Sequence, residues 1–149
     1  MSLALFWMIH EEKRDLFSLD YKNEFSLCHC VSSDLAMGKG IAVLFRDTFG
    51  GIEQLKMQNP TVGGCGSLPS ERMKIYYLIT KPKYWSKPTY ESLRDSLQCM
   101  RDDMVRSRIR RLGMPRIGCG LDGLEWSRVK EIIASVFNGT DIDIVVCVK

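Results

Sequence analysis

The chain has 149 residues, 45% of them hydrophobic and 26% charged, and a formal net charge of +3. That length and balance fit one globular domain over residues 1–149 with a real core, and exclude a disordered chain. The mild positive charge permits an anionic ligand without by itself indicating nucleic acid, and no apolar run is long enough to span a membrane.

In chain order, the apolar residues 3–9 read as an opening strand. They lack the basic n-region and small-residue cleavage site of a secretion signal, and they run straight into His10, Glu11, Glu12, Lys13, Arg14 and Asp15. Residues 25–31 read as a second, buried strand, stopped by Ser32, Ser33 and Asp34. A glycine loop follows, then a helix over 41–49 closed by Gly50 and Gly51. Residues 52–58 make a short helix ended by Asn59 and Pro60. Residues 61–70 are rich in glycine and turn formers and are expected to be a surface loop. Residues 73–80 are the clearest strand, aromatic and β-branched. It ends at Lys81, which Pro82 keeps extended. The longest helix is expected over 89–110, because Tyr90, Leu93, Leu97, Met100 and Met104 recur at steps of three and four. Arg106, Arg108, Arg110 and Arg111 at its exit suit a helix end and a solvated face. Residues 112–117 form a strand that enters a second glycine loop. A helix follows through Trp126, Val129, Ile132, Ile133, Val136 and Phe137, and residues 142–148 close the chain as a strand. Strands alternating with helices imply an α/β sandwich with a largely parallel sheet, whose ligands gather beyond the carboxyl ends of the strands.

The glycine segments at 37–45 and 115–123 each follow an apolar strand pattern and precede a helical one. Glycine lets backbone amides approach a ligand closely, and a helix start behind such a turn is an anion site. Two such loops suggest a cleft that grips a diphosphate from both sides. Neither matches a G-x-G-x-x-G fingerprint or a P-loop. For either loop alone, an ordinary tight turn is the alternative.

The polar inventory narrows the chemistry. Six cysteines (Cys28, Cys30, Cys65, Cys99, Cys119, Cys147) make no C-x-x-C pair. On a strand, Cys28 and Cys30 share one face and His29 takes the other. A zinc site needs about four converging ligands, and none converge here, so no metal and no cofactor are expected. The thiols read as free, in a reducing and therefore intracellular compartment. His10 and His29 both sit in or beside early strands, which argues against a histidine triad. Lys81 is then the candidate nucleophile, an amine at a pocket edge able to attack an anomeric carbon or an aldehyde. Asp122 is its candidate acid/base partner. A solvated lysine or phosphate counter-ion, and a helix N-cap at Asp122, are the alternatives for each taken alone.

Residues 15–17, 30–32, 37–45, 76–81, 87–91 and 114–122 follow one another in an order that resembles the macro domains, specifically the branch that removes ADP-ribose with a lysine. The resemblance runs from about Asp15 to the C-terminus, and residues 40–45, 76–81 and 114–122 carry most of it. It implies a three-layer α/β/α sandwich with a mixed, largely parallel central sheet. It also implies a hydrolase of ADP-ribose esters, on protein Asp and Glu side chains or as O-acetyl-ADP-ribose. Related macro domains act on ADP-ribosylated nucleobases too, which keeps nucleic acid open as a substrate. By this resemblance Asp15, with Leu16 beside it, holds the adenine. Ser32, Gly38, Gly40, Ile41 and Ala42 surround the distal ribose and phosphates, and Pro115, Ile117, Gly118, Cys119, Gly120 and Leu121 form the second phosphate loop. Lys81 attacks the anomeric carbon of the distal ribose and expels the linked acid, while Asp122 assists opening and release.

The chain departs from the family at four places. Arg14 replaces a glycine before Asp15, Pro82 replaces a basic residue after Lys81, the glycine-rich loop at 63–66 replaces a strand, and Cys147 replaces an aromatic residue that packs on adenine. The last change would weaken binding without touching the lysine chemistry. A monomer in the nucleus or cytoplasm is expected, with ADP-ribose and ADP-ribosylated proteins as partners. A non-catalytic reader of ADP-ribose is the rival, and Lys81 with Asp122 favours the enzyme because a reader needs neither.

Overall fold

The computed structural model describes residues 8–149. Six strands form one sheet: β1 Ile9–Lys13, β2 Ser26–Ser32, β3 Cys65–Ser70, β4 Met73–Lys81, β5 Arg111–Met114 and β6 Asp143–Val148. Their spatial order is β1-β6-β5-β2-β4-β3. Every neighbouring pair is parallel except β3 and β4. The helices are α1 Ile41–Phe49, α2 Ile52–Lys56, α3 Tyr90–Arg106 and α4 Trp126–Val136.

The two faces of the sheet are read directly from period-two alternation. On β4, Tyr76 and Leu78 join the core beneath α3 and α4, with Leu93, Leu97, Met100, Val129 and Ile133. Ile75, Tyr77 and Ile79 point the other way, to Phe45 of α1 and Leu55 of α2. The result is three layers with a mixed, mostly parallel sheet between. Cys28 packs on the α3/α4 side, and His29 stacks on Phe45 with ring centroids 3.8 Å apart. The thiols and the imidazole therefore occupy opposite faces, as the spacing predicts.

Helix α1 has the expected bounds, framed by Gly40 and Gly50. Helix α3 begins with a reciprocal cap. Ser92 N–H donates to Thr89 Oγ1 (3.0 Å), and Thr89 N–H donates to Ser92 Oγ (3.1 Å). It ends before the expected Arg110, because Arg108 takes a left-handed φ of 57°. Ile109 N–H then donates to Met104 O at 2.9 Å and turns the chain into β5. Strand β5 stops at Met114 rather than 117, since Pro115 has no N–H to continue a ladder.

Two strands differ from expectation. Of the expected strand at residues 3–9, residues 3–7 lie outside the described residues; β1 begins at its last residue, Ile9, and runs on through the charged stretch to Lys13, with Ile9 its buried residue. It is an edge strand held by its ladder to β6, from Ile9↔Ile144 to Lys13↔Val148. Residues 61–70, expected as a loop, contain β3, which pairs antiparallel with β4 from Cys65↔Leu78 to Ser70↔Met73. An edge strand needs one partner only, so Pro69 is harmless there. Leu68 is its one large apolar residue in the core. Cys65 Sγ lies 2.7 Å from Cys99 Sγ, bringing this edge against α3.

Candidate active site

Strands β2, β4 and β5 release their loops at the same edge of the sheet, as parallel strands must. The loops enclose a cavity of about 660 Å³. The first glycine loop forms one wall. Gly40 has φ 60° and ψ −143°, a conformation closed to L side chains, and its α-carbon faces open space. No side chain caps α1, and Ile41 and Ala42 at its start line the cavity. Free N–H groups at a helix start attract an anion. The opposite wall is the second glycine loop. Gly118, at φ 73°, is packed so that an added β-carbon would sit 2.9 Å from Leu124 Cδ1.

At the carboxyl end of β4 the Lys81 ammonium meets Asp122. Lys81 Nζ lies 2.7 Å from Asp122 Oδ1, and the two side chains are 15% and 16% exposed. They are 41 residues apart in sequence. A register shift between Val31 and Ser32 sets Ser32 opposite Lys81, and Ser33 N–H donates to Lys81 O at 2.9 Å. Asp122 sits in a short 3-10 turn, Gly120–Asp122, while Glu125 takes the N-cap position of α4. The helix-cap alternative for Asp122 is therefore not what the chain does.

Two cysteines and the histidine that line the cavity are held toward their neutral forms by burial. Burial, then the nearby Asp122 carboxylate, pushes the Cys30 thiol up to about 12. Burial also raises the Cys119 thiol, against the opposing charge of Arg116. Burial drives His29 down to about 3, and both its nitrogens lack a hydrogen-bond partner among the described residues. It stays neutral at ordinary pH and wedged against Phe45. Among the described residues, no group of three or more His, Cys, Asp or Glu could hold a metal ion.

Of the residues singled out from sequence, Ser32, Gly38, Gly40, Ile41, Ala42, Lys81, Pro115, Ile117, Gly118, Cys119, Leu121 and Asp122 all line this cavity. Gly120 is exposed beside them, in the 3-10 turn that carries Asp122. Asp15 and Leu16 do not line it. Asp15 caps a separate 3-10 turn just past β1, accepting from Phe17 N–H at 3.0 Å. Leu16 is buried in the core. Arg14, in place of glycine, braces that turn through Nε to Ser18 Oγ at 2.9 Å. Cys147 is buried beside it, its thiol raised by burial and, less, by the charges of Glu12 and Asp15.

The structure adds residues that local sequence patterns do not reveal. Asp34 joins two loops: its carboxylate accepts from Ser32 Oγ, from Ala36 N–H (3.2 Å) and from Tyr84 N–H (3.1 Å). Burial pushes its carboxyl up, but these bonds and the charge of Lys83 outweigh that and hold it below the usual aspartate range. Glu11 of β1 accepts from Arg116 (3.1 Å), Trp126 Nε1 (3.0 Å) and Lys130 (2.9 Å), fastening the second glycine loop to β1 and α4. The Lys130 bond chiefly keeps its carboxyl below the ordinary range. Lys87 donates to Leu121 O across the mouth.

An α/β sandwich with a cleft at its parallel-strand ends, walled by two glycine turns, is an arrangement suited to a phosphorylated ligand. The comparisons sharpen that class. A family model described as the Macro domain matches residues 28–133. ADP-ribose glycohydrolase OARD1 of Bos taurus is 48% identical over 134 residues, covering 90% of this chain and 87% of its own. The Homo sapiens protein of the same name is 46% identical with the same coverage. The chain belongs to the macro domain family. Among solved structures, the macrodomain of Mycobacterium tuberculosis DarG shares the fold with a TM-score of 0.83 at 22% identity, over 95% of this chain and 97% of that one.

Proposed function

We propose that this macro domain is an ADP-ribose glycohydrolase that cleaves the ester between the distal ribose and a carboxylic acid. The observation that carries the reading is the enclosed contact of Lys81 Nζ with Asp122 Oδ1, 2.7 Å, between the two glycine loops. The relatives named ADP-ribose glycohydrolase support it at 48% and 46% identity.

The ligand lies across the strand ends. From Asp15 after β1 to Lys81 on β4 there are four strand spacings in the order β1-β6-β5-β2-β4, roughly 19 Å at ~4.8 Å each. The cavity takes the distal ribose and diphosphate, and the adenine lies outside it, toward Asp15. Asp122 accepts a proton from the lysine, and the freed amine attacks the anomeric carbon. The new C–N bond replaces the C–O bond to the acid, which leaves as a carboxylate with the electron pair. The attacking nitrogen loses a proton to water, and its lone pair opens the ribose to an iminium as Asp122 returns its proton to the ring oxygen. Water then adds to that carbon, giving free ADP-ribose and the lysine ammonium. One hard displacement becomes two easier steps, with Asp122 as acid and base in turn.

The acceptors are Asp and Glu esters on proteins and small esters such as O-acetyl-ADP-ribose. The free cysteines favour a reducing, intracellular location. The deciding experiment offers the protein a glutamate-linked, mono-ADP-ribosylated substrate and measures released ADP-ribose. Tight binding of ADP-ribose with no release from any ester would make this chain a reader instead.

A further inference from the structure

Tyr84 and Trp85 are 59% and 67% exposed, yet both line the cavity. Their rings meet edge to face, 4.9 Å between centroids at 88°. Leu121, 69% exposed, lines the same mouth from the opposite loop. Single exposed apolar side chains need no explanation, but three that converge on one opening do. The loop beneath the aromatics does not depend on their side chains. It is pinned by Tyr84 N–H to Asp34, by Ser86 N–H to Lys83 O (2.9 Å) and by Ser33 Oγ to Pro82 O (2.9 Å). The rings are thus held in place without serving the core.

Their position says what meets them. A ligand running from Asp15 toward Lys81 carries its acceptor on the distal ribose, so the acceptor continues past Lys81. Residues 82–88 stand there. We propose that Tyr84 and Trp85 form an acceptor subsite, which packs an apolar side chain next to the ADP-ribosylated carboxylate of an acidic protein segment. This rests on the ester-hydrolase reading above. The charge around the opening fits such a segment: Lys39 and Lys87 line the cavity beside Lys81, which is paired with Asp122, and Arg116, which is paired with Glu11. Cations of this density draw in an acidic chain. The perpendicular rings make a corner rather than a parallel slot, and a corner suits a branched aliphatic side chain. A nucleobase is better served by a flat ring face on which to stack.

The test compares wild type with Trp85→Ala and Tyr84→Ala on three ADP-ribosyl esters: O-acetyl-ADP-ribose, an acidic peptide modified on a glutamate next to leucine, and the same peptide with glycine in place of leucine. An ADP-ribosylated oligonucleotide is the fourth substrate. Trp85→Ala is expected to lower kcat/KM for the leucine peptide about tenfold, mainly through KM, down to the level of the glycine peptide. Its effect on O-acetyl-ADP-ribose turnover and on ADP-ribose affinity should be several-fold smaller than its effect on the leucine peptide. Equal loss on every substrate, or loss on none, overturns the subsite. A larger loss on the oligonucleotide than on the leucine peptide overturns it in favour of base stacking. If wild type releases ADP-ribose from none of the four, the hydrolase reading and the subsite fall together, whereas normal turnover without peptide discrimination removes only the subsite.

Discussion

In the proposed mechanism Lys81 and Asp122 divide the chemistry between them, so their variants should fail differently. Lys81→Ala removes the nucleophile and should abolish ester hydrolysis while keeping ADP-ribose affinity, since the phosphate-facing backbone is untouched. Asp122→Ala should bind as well but turn over more slowly, by about 10²–10⁴-fold for a lost proton-transfer group. Intact-protein mass spectrometry should then find an ADP-ribose adduct on Asp122→Ala that maps to Lys81. Full turnover by Lys81→Ala would sink the mechanism. Asp34 offers a second test at this scale, through pH. Its carboxyl is held below the usual aspartate range in the folded protein. Its contribution to stability is therefore complete above the unfolded value of about 4 and is lost as pH falls through the folded value. Asp34→Asn should lower the melting temperature by a constant amount between about pH 8 and 5, and the difference from wild type should shrink below about pH 4. A gap that widens in acid would show that the carboxylate does not tie the loops.

At the scale of the elements, helix α3 and the first glycine loop carry separate consequences. Ser92 Oγ, besides completing the cap of α3, donates to Thr80 O at 2.7 Å, the residue before Lys81. Thr89→Ala should cost about 1 kcal/mol of stability by the usual worth of such a cap, measured by denaturant unfolding. Gly40→Ala should leave the fold intact but strain the turn by roughly 1–3 kcal/mol. It should weaken ADP-ribose binding by at least about tenfold in calorimetry; unchanged affinity would reduce this segment to a simple turn.

The same elements show what a sequence can disclose. Helix α1 was legible because glycines bracket it, and β4 because its residues are aromatic and β-branched. Strand β3 was not, because Leu68 is its one large core residue and its regularity comes from its partner. Strand β1 hid for a similar reason, as a charged edge whose ladder is supplied by β6. The glycine loops announce themselves locally. Residue chemistry offered Lys81 and Asp122 as a candidate pair with alternatives open, and the family resemblance singled the pair out, whereas the Asp34–Tyr84 bond spans 50 residues without any local signal.

For the whole molecule, the proposed pose has the ligand span the ends of strands from β1 to β4, so binding should stabilise the sheet as a unit. ADP-ribose should raise the melting temperature more than AMP or NAD at equal concentration, as expected when a ligand prefers the native state. Asp15→Ala should reduce that rise, and an unchanged rise would move the adenine elsewhere.

The ladder between β1 and β6 also bears on how the protein is made. Strand β1 leaves the ribosome early, but its partner, which lies between it and β5, spans Asp143–Val148. Until those residues emerge, Ile9 has no Ile144 to pair with and Asp15 has no fixed place. Long-range parallel pairing of this kind is slow to close. In the proposed pose, an adenine end at Asp15 is therefore complete only once β6 has paired with β1.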